Sequence, residues 1–270
     1  MALTALQRQI CRLLAEHRIA SGESYVAGGV ALNELLAGSR VSRDIDVFHD
    51  TNEAVIASWE SDRRVLASRG FAITVLRERP SHVEAEVRTP DEIVRVEWAR
   101  DSAYRFFPLV RHPDLGLALH PFDLATNKVL ALIGRVEIRD WVDTIHCGEH
   151  VQPLGYLAWA AAWKDPGFSP GAILDEAART CRYAEDEVAE LAFDGPPPSA
   201  GDLSRRWRSL LDAARATVEV LPAGEMGTCV LTTAGTLFQG SAREAAAAVN
   251  DRRLLFHRGR IRGALPQIRR

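Results

Sequence analysis

Residues 24–50 read SYVAGGVALNELLAGSRVSRDIDVFHD, and the piece RDIDVF decides the fold. Ile45, Val47 and Phe48 ask for an apolar environment, yet Asp44 and Asp46 stand among them. Acids are depleted in strands because they lose solvation there. Strand side chains alternate, so both acids point one way while Ile45 and Val47 point into a core. Ahead of this segment come a short strand, SYVA, the pair Gly28-Gly29, and a brief helix from Val30 to Leu36 that Gly38 stops.

Working outward, EIVRVEWA (92–99) alternates in the same way. Ile93, Arg95 and Glu97 fall on one face, and Val94, Val96 and Trp98 on the other. If this run neighbours RDIDVF, Glu97 stands beside the aspartates. Three carboxylates that close do not all stay charged without a cation between them. Mg²⁺ (or Mn²⁺) suits Asp44, Asp46 and Glu97, being hard, oxygen-seeking and ready to exchange water for phosphate. Two such ions can clamp the attacking and leaving oxygens of a nucleotidyl transfer. Gly28-Gly29 completes the logic, since a glycine pair between strand and helix lets the backbone approach a triphosphate and aims free N–H groups at it.

Composition sets the bounds. The 270 residues are 47% hydrophobic and 26% charged, with a net charge of −3, which fits one large globular domain or two modest ones. No run is long and apolar enough for a membrane span, and the N-terminal twenty residues read as an amphipathic helix rather than a signal peptide. The scattered Cys11, Cys147, Cys181 and Cys229 form no CxxC pair and suit reduced thiols in the cytoplasm. GxGxxG, GxxxxGK[ST] and GxSxG are missing, which argues against Rossmann and P-loop nucleotide binding and serine hydrolysis. His146, Cys147 and His150 lack zinc-site spacing.

The remaining pattern is a helix over about 4–18, a second capped at Thr51-Asn52 and running to Ser68 before Gly70, then strands in FAITVLRER, HVEAEVR and EIVRVEWA. From Asp123 the chain turns helical. DLATNKVLALIGR, capped by Asp123, and RDWVDTIHCGEH lead to helices over 154–164, 170–192 and 203–219, with GPPPSAGD (195–202) as a linker. The tail offers strand-like GTCVLTT and GTLFQG, an alanine-rich helix over 241–250 and a basic end. The expected organisation is therefore a core over 1–110, a helical domain over 111–194 and a small basic C-terminal subdomain over 195–270.

Lys128 and Arg135 are seven residues apart and share one helix face, where two cations can hold a triphosphate. A plain solvated face has the same spacing. Asp140 and Asp143 lie one turn apart, with Arg139 able to pair with Asp143. Residues 252–270 hold seven arginines and no acid; Arg252, Arg253, Arg258, Arg260 and Arg262 interleave with Phe256 and His257. Such a segment can meet nucleic acid, with arginines on phosphates and an aromatic on a base, or dock an acidic partner.

Gly28-Gly29, a short helix, Arg40-x-Ser42-x-Asp44-x-Asp46 on a strand, and the later Lys128 followed by Arg139-Asp140-x-x-Asp143 together resemble the abortive-infection nucleotidyltransferases. These are the AbiEii/AbiGii-type toxins of the DNA polymerase β superfamily. The likeness spans about residues 25–145. It departs at the turn, where superfamily members often carry Gly-Ser and this chain has Gly28-Gly29. The resemblance implies an α+β fold: a polymerase β-like nucleotidyltransferase core of mixed sheet and helices, then a helical bundle and a small C-terminal α/β segment. It further implies a metal-dependent enzyme that moves a nucleotide from an NTP to a hydroxyl on RNA, such as a tRNA end, or on protein, paired with an antitoxin in phage defence. Asp44, Asp46 and Glu97 would hold the metal, Gly28, Gly29, Arg40, Ser42, Lys128 and Arg135 the nucleotide, and Asp140 or Asp143 would orient Lys128 or touch substrate. Two alternatives stay open: a small-molecule, antibiotic-type nucleotidyltransferase, and a non-catalytic nucleotide- or RNA-binding protein.

Overall fold

A computed structural model describes residues 3–268. It has two compact units, the first made of residues 3–103, 108–120 and 192–195, the second of 104–107, 121–191 and 196–268.

The first unit opens with α1 (Ala5–Ser21), whose start is closed by a reciprocal Thr4–Gln7 capping box. Then come β1 (Ser24–Ala27), α2 (Gly28–Leu35), β2 (Asp44–His49), α3 (Asn52–Ser68), β3 (Ala72–Arg79), β4 (His82–Arg88) and β5 (Ile93–Arg100). Its last strands are β7 (Val110–His112) and β8 (Gly116–Ala118); β6 (Tyr104–Arg105) belongs to the second unit. Seven strands form one mixed sheet in the order β3-β4-β5-β2-β1-β8-β7, with β2–β5 and β1–β8 parallel and the remaining pairs antiparallel. Ile45, Val47, Val83, Ala85, Val87, Val94, Val96 and Trp98 are all buried. Trp59 of α3 lies 4.8 Å from Trp98, so α3 covers this apolar face. Asp62 follows Trp59 by less than a turn and accepts the Trp98 indole N–H at 2.8 Å, satisfying a donor that burial would otherwise strand.

The second unit holds α4 (Pro121–Arg135), α5 (Ile138–His150), α6 (Leu154–Lys164), α7 (Pro170–Thr180), α8 (Glu185–Ala189) and α9 (Ala200–Val220). A small α/β segment follows: β9 (Cys229–Thr232), α10 (Ala242–Asn250), β10 (Leu254–His257) and β11 (Arg260–Ile261). Tyr156, Trp159, Leu221, Val230 and Ala245 form its core, so the segment is built onto α6 and the end of α9. The fold is α+β, as expected.

Four local readings need correction. Helix 170–192 breaks at Cys181, because the Glu187 carboxylate accepts the Ala184 N–H and starts α8 afresh. GTLFQG is no strand; β9 pairs with β10, and Leu237 makes one isolated bridge to Leu231. Asp123 does not begin its helix. α4 starts at Pro121, and the buried Asp123 carboxylate accepts the backbone N–H groups of Phe106 (2.9 Å) and Phe107 (3.0 Å) and pairs with Lys164. Phe256 and His257 are taken up by the fold: Phe256 packs on the second unit's core, and the buried His257 bonds the Phe106 carbonyl at 2.8 Å. Arg269 and Arg270 lie outside the described residues.

Candidate active site

β2 alternates as its sequence dictates: Asp44 and Asp46 are half-buried on one face, and Ile45 and Val47 are buried on the other. Parallel pairing with β5 sets Asp44 opposite Arg95 and Asp46 opposite Glu97. β4 extends the row, because Glu84 is opposite Glu97 and shares its face; the buried Val83 and Ala85 oppose Trp98 and Val96 on the far side. Three carboxylates thus stand side by side across β2, β5 and β4. Glu84 is a residue the sequence reading missed, although the alternation of HVEAEVR was enough to orient it. Its charge is answered by Arg95 at 3.1 Å. Among the described residues Glu97 makes no ion pair and no side-chain hydrogen bond, though like charges directly opposite across strands repel.

The glycine bend is built against these acids. Gly28 has φ +64°, and a Cβ on it would sit 1.7 Å from Asp46 Oδ2. Glycine is required there twice, for the left-handed backbone and for the space. A Cβ on Gly29 would lie 2.5 Å from Arg40 Nη2 and 2.8 Å from Ser42 Oγ. The start of α2, with its backbone N–H groups, therefore abuts Asp46, Arg40 and Ser42 together. The segment that carries Arg40 and Ser42 precedes β2 and is pinned from both ends. Gln7 Nε2 donates to the Ser42 carbonyl at 2.8 Å, Val41 N–H donates to Ala192 at 2.8 Å, and Asp194 N–H donates to Ser39 at 2.7 Å. Arg40 is buried and forms a bridge with Phe193.

These surroundings fit a hard divalent ion. All the donors are carboxylate oxygens, and one, Glu97, lacks a cation. Among the described residues no three His, Cys, Asp or Glu side chains form a ready metal cage. Mg²⁺ does not need one, since it is commonly held by one or two carboxylates plus the phosphates of its substrate.

Lys128, Arg135, Asp140 and Asp143 form a cluster of their own in the second unit. The Lys128 ammonium lies 2.9 Å from Asp140 and 2.8 Å from Asp143, and Arg135 reaches Asp140 at 3.0 Å. Both aspartates are buried, so two cations balance two anions between α4 and α5. Arg139 pairs with Glu137 at 2.5 Å.

No family model matches the chain, and no curated protein does. Two crystal structures from Helicobacter pylori resemble it. One, described as a "putative nucleotidyltransferase", has a TM-score of 0.55 at 16% identity over 81% of this chain and 98% of its own. The other, JHP933, has a TM-score of 0.55 at 16% identity over 78% of this chain and 91% of its own. The chain is similar to both in fold.

Proposed function

We propose that the chain is a metal-dependent nucleotidyltransferase that moves a nucleotide from an NTP to an acceptor hydroxyl on RNA, such as a tRNA end, or on protein. The observation that carries this reading is the glycine bend: Gly28 has no room for a side chain because Asp46 lies against it. A backbone brought this close to a carboxylate suits a ligand that is part anion and part cation, as a metal–triphosphate is. Asp44 and Asp46 would hold the metal, with Glu97 beside Asp46 completing the set. When bound, Mg²⁺ neutralises charge on the phosphates and makes the acceptor hydroxyl more acidic. The N–H groups at the start of α2 receive phosphate oxygens, helped by the helix dipole. Arg40 and Ser42, already against Gly29, add a charged and a neutral donor. The motif order shared with the AbiEii-type toxins supports a place in a toxin–antitoxin or phage-defence pair.

The test is incubation with each α-labelled NTP, Mg²⁺ and total RNA, followed by separation of RNA from protein. Label is expected in one of the two fractions. The double variant Asp44→Ala, Asp46→Ala is expected to lose at least about 10³-fold in rate, on the scale of removing a principal transition-state charge partner. Transfer that survives the double variant would remove both aspartates from the chemistry.

A further inference from the structure

The second unit contains a cavity of about 720 Å³ bounded by α7, α8 and α9, which none of the chemistry above uses. Its size is in the range of small-molecule and cofactor sites. Arg182 and Arg208 line it, and neither makes an ion pair or a side-chain hydrogen bond among the described residues. Tyr183 Oη and Trp207 Nε1, on two other lining residues, are buried with no hydrogen-bond partner. Trp207 as a whole is only 3% exposed. Buried donors are ordinarily satisfied, so two on residues that line one cavity call for an explanation. Of the two carboxylates that also line the cavity, Glu187 is already engaged by the Ala184 N–H, which leaves Asp212.

The apolar part of the lining, from Leu211 and Ala178 to the half-buried Tyr183, with Trp207 buried behind it, offers surface for a flat ring. Asp212 lines the cavity too, and it makes no bond among the described residues. It is available to accept a hydroxyl or amino group. A third guanidinium, Arg215, is held 3.1 Å from Asp175 and adds positive potential. Cys181 contributes bulk, not reactivity, since burial pushes its thiol up to about 11.

We propose that this cavity binds a nucleoside monophosphate unit, presented as a residue of single-stranded RNA: phosphate on Arg182 and Arg208, base against Tyr183 with Trp207 behind it, and ribose or base donors on Asp212. The site needs no nucleotidyl transfer to exist. If the acceptor is RNA, it becomes the place where that acceptor is gripped, and this last step rests on the function proposed above.

The test uses the full chain in EDTA, which silences metal-dependent triphosphate binding, and a fluorescein-labelled single-stranded oligoribonucleotide read by anisotropy across a salt series. Arg182→Ala with Arg208→Ala is expected to raise Kd at least tenfold and to reduce the log–log salt slope by about 0.7, the value for the one phosphate the two arginines share. Both arginines are exposed, so the variant should fold, and its melting temperature checks that. Trp207→Phe, which keeps a ring and removes the donor, is expected to weaken binding a few-fold. Competition by unlabelled AMP or CMP would point to free nucleotide as a second source of the same ligand chemistry; competition only by oligonucleotide would restrict the site to RNA. Absence of binding by wild type, or a Kd and slope unchanged in the double-arginine variant, would overturn the proposal. The Asp44→Ala, Asp46→Ala variant should bind the oligonucleotide like wild type, so loss of transfer and loss of this site are read separately.

Discussion

In the first unit, Asp46, Glu97 and Glu84 line up across three strands on a half-exposed sheet face, and Glu97 has no cation of its own. In the second unit, Asp140 and Asp143 are buried and closed around Lys128 and Arg135. Both are acid clusters on regular elements, and in composition they look alike. They differ in who supplies the positive charge. The second cluster is balanced from within the chain, as burial demands. The first keeps contact with water and leaves a carboxylate for a cation from outside. On that difference we expect the second cluster to matter more for stability and the first more for binding.

The sharpest way to break this contrast is to remove one acid from each cluster. Asp140→Ala leaves the buried Lys128 ammonium with Asp143 alone, and it is expected to cost about 3 kcal/mol in denaturant unfolding. Asp46→Ala is expected to cost less, about 1 kcal/mol, because Asp46 is only half-buried. Equal losses would erase the distinction.

A second measurement compares the two faces of β2. His49 ends that strand on the buried side, and burial pushes its pKa down to about 4, a shift only partly offset by its bond to the Ala99 carbonyl. The folded protein therefore keeps His49 neutral while the unfolded chain takes up a proton below about pH 6.5. Stability should fall as the pH drops from about 6.5 towards 4, by about 3 kcal/mol at the low end. His49→Asn should flatten that part of the profile, measured as unfolding free energy against pH. A profile unchanged by the substitution would show that the buried face of β2 does not titrate in this way.

Glycines sharpen the contrast further. Gly28→Ala meets both a left-handed backbone and Asp46, whereas Gly70→Ala, at φ +84°, meets the backbone term alone with nothing within 4 Å. Each should lose about 1–2 kcal/mol of stability. Only Gly28→Ala should also slow the proposed nucleotide transfer, by about ten- to a hundred-fold, because it displaces Asp46, the side chain proposed to hold the metal. The smallest effect is expected at Glu97→Gln. Without metal it should stabilise the sheet by about 0.5 kcal/mol through relief of like-charge pairing, yet lower transfer when metal is present.

Much of the first unit was legible because strands write their orientation locally. DIDVFH and IVRVEWAR each declare two faces, and once β2 and β5 are neighbours the meeting of Asp46 and Glu97 follows. Helix ends with a side-chain cap were equally readable, as at Thr51. What stayed hidden depends on partners far away in the chain. Nothing near Asp123 says that its carboxylate is committed to Phe106 and Phe107 rather than to its own helix. Nothing near β9 says that its partner lies beyond α10, when a nearer strand-like run competes. The cavity with Arg182 and Arg208 was invisible for the same reason, since the reading ran one helix through the break at Cys181 that shapes it.

The clasp between residues 39–41 and 192–194 carries a consequence for anyone dissecting this molecule. The polypeptide departs from its sheet after His120, runs through some seventy residues, and returns a four-residue splint (192–195) to the loop bearing Arg40 and Ser42. A gene shortened to the sheet-forming portion would omit that splint, and the loop in front of the aspartates would lose its outer brace. Activity confined to the complete chain is thus to be expected even if every acid-bearing strand folds by itself.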